Sequence, residues 1–368
     1  MEQSMIRHRG DKNHNFKGVT YIERNYKHIT SDDIKKLRTW QQILAILRGF
    51  MITFFILFVF IPTWWATCPW LRRFCVIMPG VELFSLSKNL SAPHEFGLNC
   101  TRHFFIELGN SRLGIWHIFP SSRANDCQEG HFVTSEDFKD GRPVFLYFHG
   151  AGGTRGSKHR VGLYKTLTSS SIDAHVITFD YRGFGDSSGH TTGPGMVEDA
   201  EAVYSWLRPL VNSSQLFIWG HSMGTAVAIN MVSKLELVQN PVALFLDSPF
   251  ANVIDLTRLH PLASIHRYMP FFYYFFTAPC QQDLDFDVEE RIKDVQVPVL
   301  IFHAEDDHLV PFQLGYDLYQ RSLRDRPHKV TEFIALNANL KIGHQDLFKY
   351  PPLPEIVNSF MKSASRIS

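Results

Sequence analysis

Ser222 stands in Gly220-His221-Ser222-Met223-Gly224, after the apolar run Gln215–Trp219 and at the opening of a helical pattern. A serine hydroxyl is a weak nucleophile at neutral pH and needs a base to take its proton and an acid to orient that base. Flanking glycines suit a strained strand-to-helix turn, where neighbouring chain comes too close for side chains. Downstream, the run Val297–Phe302 is followed by His303-Ala304-Glu305-Asp306-Asp307-His308-Leu309-Val310-Pro311, with three acids. Asp307 lies five positions after the run and four before the proline that opens the next helix, the place expected of an orienting acid. Asp306 is the adjacent alternative. A third acid, Asp247, ends the run Val242–Leu246, where Asp247-Ser248-Pro249 reads first as a turn or helix cap. The base should follow the last strand. His344 does so behind Gly343, whose backbone freedom lets the ring swing over the turn, whereas His328 precedes that strand. The candidate set is Ser222, Asp307 and His344. The cluster His303, Glu305, Asp307 and His308 is not read as a metal site, because so short a loop seldom orients that many ligands. Neither metal nor cofactor is expected.

Acyl transfer also needs two backbone N–H groups facing the developing oxyanion. Met223, just after the nucleophile, supplies one. The loop His149-Gly150-Ala151-Gly152-Gly153, after the run Pro143–Phe148, supplies the other, with Ala151 the candidate. The stretch Gly156-Ser157-Lys158 lacks the order of a phosphate loop, and Gly183–Gly189 misses dinucleotide spacing. Arg155, Lys158, His159 and Arg160 form a basic stretch near the oxyanion loop.

These residues must be held by a sheet. Apolar runs at Arg102–Leu108, Leu113–Phe119, Pro143–Phe148, Ala174–Phe179, Gln215–Trp219, Val242–Leu246, Val297–Phe302 and Lys329–Ala335 alternate with amphipathic stretches. The latter lie near Gly195–Leu207, Met223–Val238, Phe312–Leu323 and Pro354–Ser363. Strands separated by helices mean an α/β class with a mostly parallel sheet covered on both faces, and the first two runs form an antiparallel hairpin at its edge. With the chain order serine, acid, histidine, this predicts the α/β-hydrolase fold over residues 99–368. About fifty residues separate two of the strands, far more than a crossover needs. This cap insertion, about 250–294, contains Phe271, Phe272, Tyr273, Tyr274, Phe275 and Phe276. An unbroken aromatic run has neither helical nor strand period, which suggests an acyl pocket or a membrane-touching lid.

The chain has 368 residues and a net charge of +1, which argues against a dedicated nucleic-acid binder. Residues 1–42 carry nine basic and five acidic side chains without apolar periodicity and read as a flexible cytosolic tail. Residues 43–65 read as a transmembrane signal-anchor. The apolar core Ile43–Ile61 spans about 28 Å as a helix, Arg48 can snorkel, and Trp40, Trp64, Trp65 and Trp70 flank it. The basic flank places the N-terminus in the cytosol and the rest across the membrane, with 66–98 a lumenal linker. The sequons at Asn89, Asn99 and Asn212 all follow the helix. A lumenal compartment permits disulfides, and Cys68 and Cys75 are close enough in sequence to pair.

Several segments together carry a family likeness. They are Gly114-Ile115-Trp116-His117, Thr154-Arg155-Gly156 with His159-Arg160-Val161, Asp180 to Ser187, Trp219 to Ser222, Ser248-Pro249-Phe250, and His303 to Gly315. Over nearly all of residues 99–362 the chain resembles the α/β-hydrolase domain-containing protein twelve branch. The resemblance implies a single-pass endoplasmic-reticulum enzyme with a lumenal active site, acting on lysophosphatidylserine and monoacylglycerols, with Ser222, Asp307 and His344 as its triad. An anionic head group would need cations near the turn, which makes Arg155, Lys158, His159 and Arg160 candidate contacts, and Arg155→Ala would then harm an anionic lysolipid more than a neutral monoacylglycerol. An acyl-protein thioesterase and a non-catalytic binding protein of the same fold are the competing readings.

Overall fold

The computed structural model describes residues 30–78, 89–109, 111–124, 126, 133–212, 215–259 and 263–367. It divides into two compact units, Met1–Leu57 and Phe58–Ser368. In the first, α1 runs from Ser31 to Phe55. Thr30 caps it. Its hydroxyl accepts from the Asp33 N–H at 3.2 Å, and the Asp33 carboxylate accepts from the Thr30 N–H at 2.9 Å. Residues 31–42 are therefore helical, not the flexible tail expected. The capping box outweighs their missing periodicity. None of the side chains of α1 is buried. The helix continues through Ile56–Phe60 and α2 (Ile61–Thr67), giving 37 helical residues long and apolar enough to cross a membrane.

In the second unit, α3 (Pro69–Val76) is fastened by Arg72, which pairs with Asp283 at 2.7 Å and donates to the carbonyls of Trp65 and Ala66. Ile77 is fully buried. The start of the expected linker is thus packed protein body. Cys68 and Cys75 are free thiols, which corrects the expected pairing, whereas Cys100 is in a disulfide.

Eight strands form one sheet: β1 (Thr101–Leu108), β2 (Ser111–Ile118), β3 (Val144–Phe148), β4 (His175–Phe179), β5 (Leu216–His221), β6 (Ala243–Asp247), β7 (Val299–Ala304) and β8 (Thr331–Leu336). Their order is β1-β2-β4-β3-β5-β6-β7-β8. β1 and β2 pair antiparallel, β2 meets β4 antiparallel, and all other pairings are parallel. β3 to β7 are buried throughout, as expected for apolar strands covered on both faces. Alternate residues feed two cores: Leu146, Ile218, Leu244 and Ile301 on one face, Phe145, Phe217, Phe245 and Leu300 on the other.

The helices of this unit are α4 (Lys158–Thr168), α5 (Gly193–Leu207), α6 (Met223–Val232), α7 (Val253–Leu259), α8 (Ala278–Leu284), α9 (Val288–Arg291), α10 (Phe312–Asp325) and α11 (Leu353–Ala364). The expected helix from Met223 stops at Val232, short of Val238. α4 was not anticipated. The apolar insertion also differs from expectation. The residues Tyr273–Thr277 form a π-helical turn, so the aromatic run does acquire a buried side. Phe272 and Phe276 stack at 5.2 Å and are buried beside Trp65, while Phe271, Tyr273 and Tyr274 are exposed.

Candidate active site

The register of the parallel strands aligns Phe148, Gly220 and Leu246 across β3, β5 and β6. Their C-terminal ends therefore open into one place, where loops carry the candidate residues. Ser222 follows β5 with φ 52° and ψ −120°, a strained conformation for a residue with a side chain. Its N–H donates to the Asp247 carbonyl at 2.8 Å. Both flanking glycines are sterically required. A Cβ on Gly220 would lie 2.6 Å from the Gly224 carbonyl oxygen, and one on Gly224 would lie 2.1 Å from that of Phe148. Ser222 is half-buried at the N-terminus of α6, whose first N–H groups, including that of Met223, have no intrahelical acceptor.

Asp307 and His344 are brought together from opposite sides of β8. The Nδ1–H of His344 donates to Asp307 Oδ2 at 2.7 Å. The other carboxylate oxygen accepts from the N–H groups of Leu309 and Val310, both at 2.9 Å. Burial alone would raise the Asp307 pKa, but the contacts from His303, His344 and the Val310 N–H outweigh it and hold the carboxyl well below its usual range. Fixing the proton on Nδ1 leaves Nε2 of His344 as the proton acceptor. The neighbouring candidate Asp306 has another place: its Oδ1 accepts from the Gly343 N–H at 3.0 Å and so holds the loop, not the ring. His221 adds a brace that sequence alone did not suggest. Its Nε2–H donates to the His344 carbonyl at 2.9 Å. Burial, then the nearby His344, pushes the His221 pKa down to about 3, so this ring stays neutral. Among the described residues no hydrogen bond joins Ser222 to His344; the His221 ring lies 5.0 Å from that of His344.

Asp247 is buried, and burial, then the Asp307 charge, pushes its pKa well above the usual range. Among the described residues its carboxyl makes only a long 3.5 Å contact, accepting from the Ser248 hydroxyl. It lies near the site but does not reach the imidazole by any hydrogen bond among the described residues.

The loop after β3 passes against Ser222: a Cβ on Gly150 would lie 3.0 Å from that of Ser222. Ala151 is half-buried there, Gly152 has φ 66°, and its N–H donates to the Ile77 carbonyl at 2.9 Å. Two of the four expected head-group contacts are instead interior framework. Arg155 is fully buried, paired with Asp180 and Asp186 and lying 5.0 Å from the Trp116 ring centroid. Burial raises the Asp180 pKa to about 6 against the pull of Arg155. Arg160 is 1% exposed and donates only to loop carbonyls. Neither guanidinium is open to a ligand, because each is buried and its terminal nitrogens are held by protein acceptors. Lys158 is exposed, and His159 is half-buried with its ring 5.5 Å from that of His221, so His159 borders the site. Asn89, Asn99 and Asn212 are exposed.

A strained serine between two glycines, a buried carboxylate on a histidine, and a glycine loop beside them on an eight-stranded sheet define an α/β hydrolase. The profile of the alpha/beta hydrolase fold matches residues 143–279. Lysophosphatidylserine lipase ABHD12 of Danio rerio is 38% identical over 324 residues, covering 86% of this chain and 84% of that protein. Protein ABHD12B of Homo sapiens is 38% identical over 256 residues, covering 67% of this chain and 70% of that one. The chain belongs to the ABHD12 family and is a serine ester hydrolase. Among solved structures, the Pyrococcus furiosus esterase Pf2001 shares the fold with a TM-score of 0.54 at 20% identity, over 74% of this chain and 94% of that one.

Proposed function

We propose that this enzyme is a membrane-anchored lysophospholipase that cleaves the acyl ester of lysophosphatidylserine, with monoacylglycerols as a companion substrate class. The observation that carries the reading is the 2.7 Å bond from His344 to Asp307 beside the strained Ser222, in a chain whose relatives are named lysophosphatidylserine lipases. His344 Nε2 takes the Ser222 proton as Oγ attacks the acyl carbonyl, and Asp307 stabilises the imidazolium. The N–H groups of Met223 and Ala151 hold the oxyanion. His344 then protonates the departing glycerol oxygen, and water, deprotonated by the same ring, releases the fatty acid. His159, with the exposed Lys158 beside it in sequence, borders the site where a phosphoserine head group would lie. The exposed Phe271, Tyr273 and Tyr274 suit contact with lipid, and the buried pair Phe272 and Phe276 supports that surface from beneath.

The reading places the N-terminus in the cytosol and the hydrolase body in the lumen of the endoplasmic reticulum. Three features support that placement: the basic flank before the helix, the exposed sequons after it, and the Cys100 disulfide, which suits an oxidising compartment. The same disulfide counts against a cytosolic thioesterase. The test is fatty-acid release from lysophosphatidylserine and from monoacylglycerol by membranes carrying wild type or Ser222→Ala. Wild type hydrolyses both substrates, and the variant loses about 10⁴-fold or more. Retained hydrolysis in the variant, or wild-type activity confined to acyl thioesters, contradicts the proposal.

A further inference from the structure

The first turn of α4 holds a charge that the reaction scheme above has not used. Arg160 is 1% exposed, yet among the described residues it has no carboxylate within ion-pair distance. Arg155, nearby in sequence, is neutralised by Asp180 and Asp186, so the contrast is internal to one segment. The guanidinium of Arg160 instead donates from Nη1 to the Thr154 carbonyl at 2.7 Å. From Nη2 it reaches the carbonyls of Gly150 at 3.0 Å, Ala151 at 3.3 Å and Gly152 at 2.6 Å. One buried side chain thus gathers three consecutive carbonyls of the loop that runs past Ser222.

In a trans peptide the carbonyl of one residue and the N–H of the next point in opposite directions. A Gly150 carbonyl turned toward Arg160 therefore aims the Ala151 N–H away from it. The next peptide confirms the sense of the rotation. The Ala151 carbonyl faces Arg160, and the following Gly152 N–H points outward to the Ile77 carbonyl at 2.9 Å. Glycine at 152 and 153, with φ 66° and 63°, permits this run of similarly directed carbonyls. We propose that Arg160 is the positioning residue of the oxyanion hole: it fixes the Ala151 N–H toward Ser222 and places behind the loop a positive charge that no ion pair holds among the described residues. The charge stabilises negative charge as it forms on the substrate oxygen, and the burial that excludes water keeps it weakly screened.

This inference rests on Ser222 being the nucleophile, so the test separates the two. Full-length protein in detergent is assayed with a soluble aryl ester and with the matching thionoester, whose sulfur is a poor hydrogen-bond acceptor. Ser222→Ala is silent on both if the nucleophile is correctly assigned; a surviving ester activity there removes the basis of this inference as well. Arg160→Met lowers kcat on the oxoester by about 10²-fold or more with KM within about threefold, the pattern of an interaction made in the transition state. The loss on the thionoester is much smaller, so the ratio of oxoester to thionoester rates collapses. Arg160→Lys keeps the charge with fewer donors and recovers part of the loss. It also serves as the deciding variant if Arg160→Met does not fold, as judged by thermal melting. Equal losses on the two esters, an effect confined to KM, or an unchanged kcat in a folded variant would overturn the proposal.

Discussion

Asp307 and Asp247 belong to neighbouring strand ends, yet their surroundings drive them in opposite directions. Asp307 gains hydrogen bonds that exceed its burial penalty, and its pKa falls. Asp247 has burial and a like charge with almost nothing to offset them, and its pKa rises. The consequences for stability have opposite signs. The native Asp307 carboxylate stabilises the fold above the unfolded-state pKa, and that contribution is lost as pH falls through the lower native value. Native Asp247 keeps a proton that the unfolded chain releases, so its contribution is lost as pH rises from the unfolded value. Asp247→Asn mimics the protonated acid. Its melting temperature relative to wild type should increase between about pH 4 and pH 8, with kcat within about threefold of wild type. Asp307→Asn should lower kcat by about 10⁴-fold through loss of the correct imidazole tautomer. A large kcat loss in Asp247→Asn beside a mild one in Asp307→Asn would exchange the two assignments. The positions of Ser222, Asp307 and His344 were legible because each sits in a local pattern of glycine, strand end or proline. The braces were not. The His221 bond to the His344 carbonyl and the Asp306 bond to Gly343 join residues more than thirty positions apart, and no local spacing encodes them.

At the level of elements, α4 changes how the basic segment 155–160 is understood. Sequence proximity to the oxyanion loop suggested ligand contacts; the fold turns Arg155 and Arg160 inward and leaves Lys158 outside. Arg155→Ala would strand two carboxylates, one of them fully buried, and should destabilise the enzyme by about 3–5 kcal/mol. Thermal melting checks this. Activity per folded molecule should fall equally on lysophosphatidylserine and monoacylglycerol; a selective loss on the anionic lipid would restore the head-group role. All eight strands were readable from apolar runs, and β3 to β7 most directly, because strands buried on both faces need no alternation. α4 was hidden by its composition. Its buried residues include Arg160, Tyr164 and Thr168, and its interior holds Gly162, a poor helix former, where a Cβ would lie 2.6 Å from the Phe348 ring. The buried side of the aromatic run in the cap was hidden for a related reason. A π-helical turn changes which positions share a face, so period arguments built on ordinary helices do not apply to it.

For the whole molecule, the hydrolase body includes protein that precedes the sheet and reaches the loop beside Ser222. α3 is tied to α8 through Arg72 and Asp283, and the Ile77 carbonyl behind it receives the Gly152 N–H of the oxyanion loop. The segment Pro69–Ile77 of the body therefore helps hold the loop beside Ser222. The most direct test of the account is covalent labelling of membranes by a fluorophosphonate probe, with wild type beside Ser222→Ala and with glycosidase treatment of the labelled band. The account predicts labelling of wild type, none of the folded variant, and a mobility shift on glycosidase treatment. Labelling that persists in Ser222→Ala, or folded wild type that takes up no probe, would contradict it.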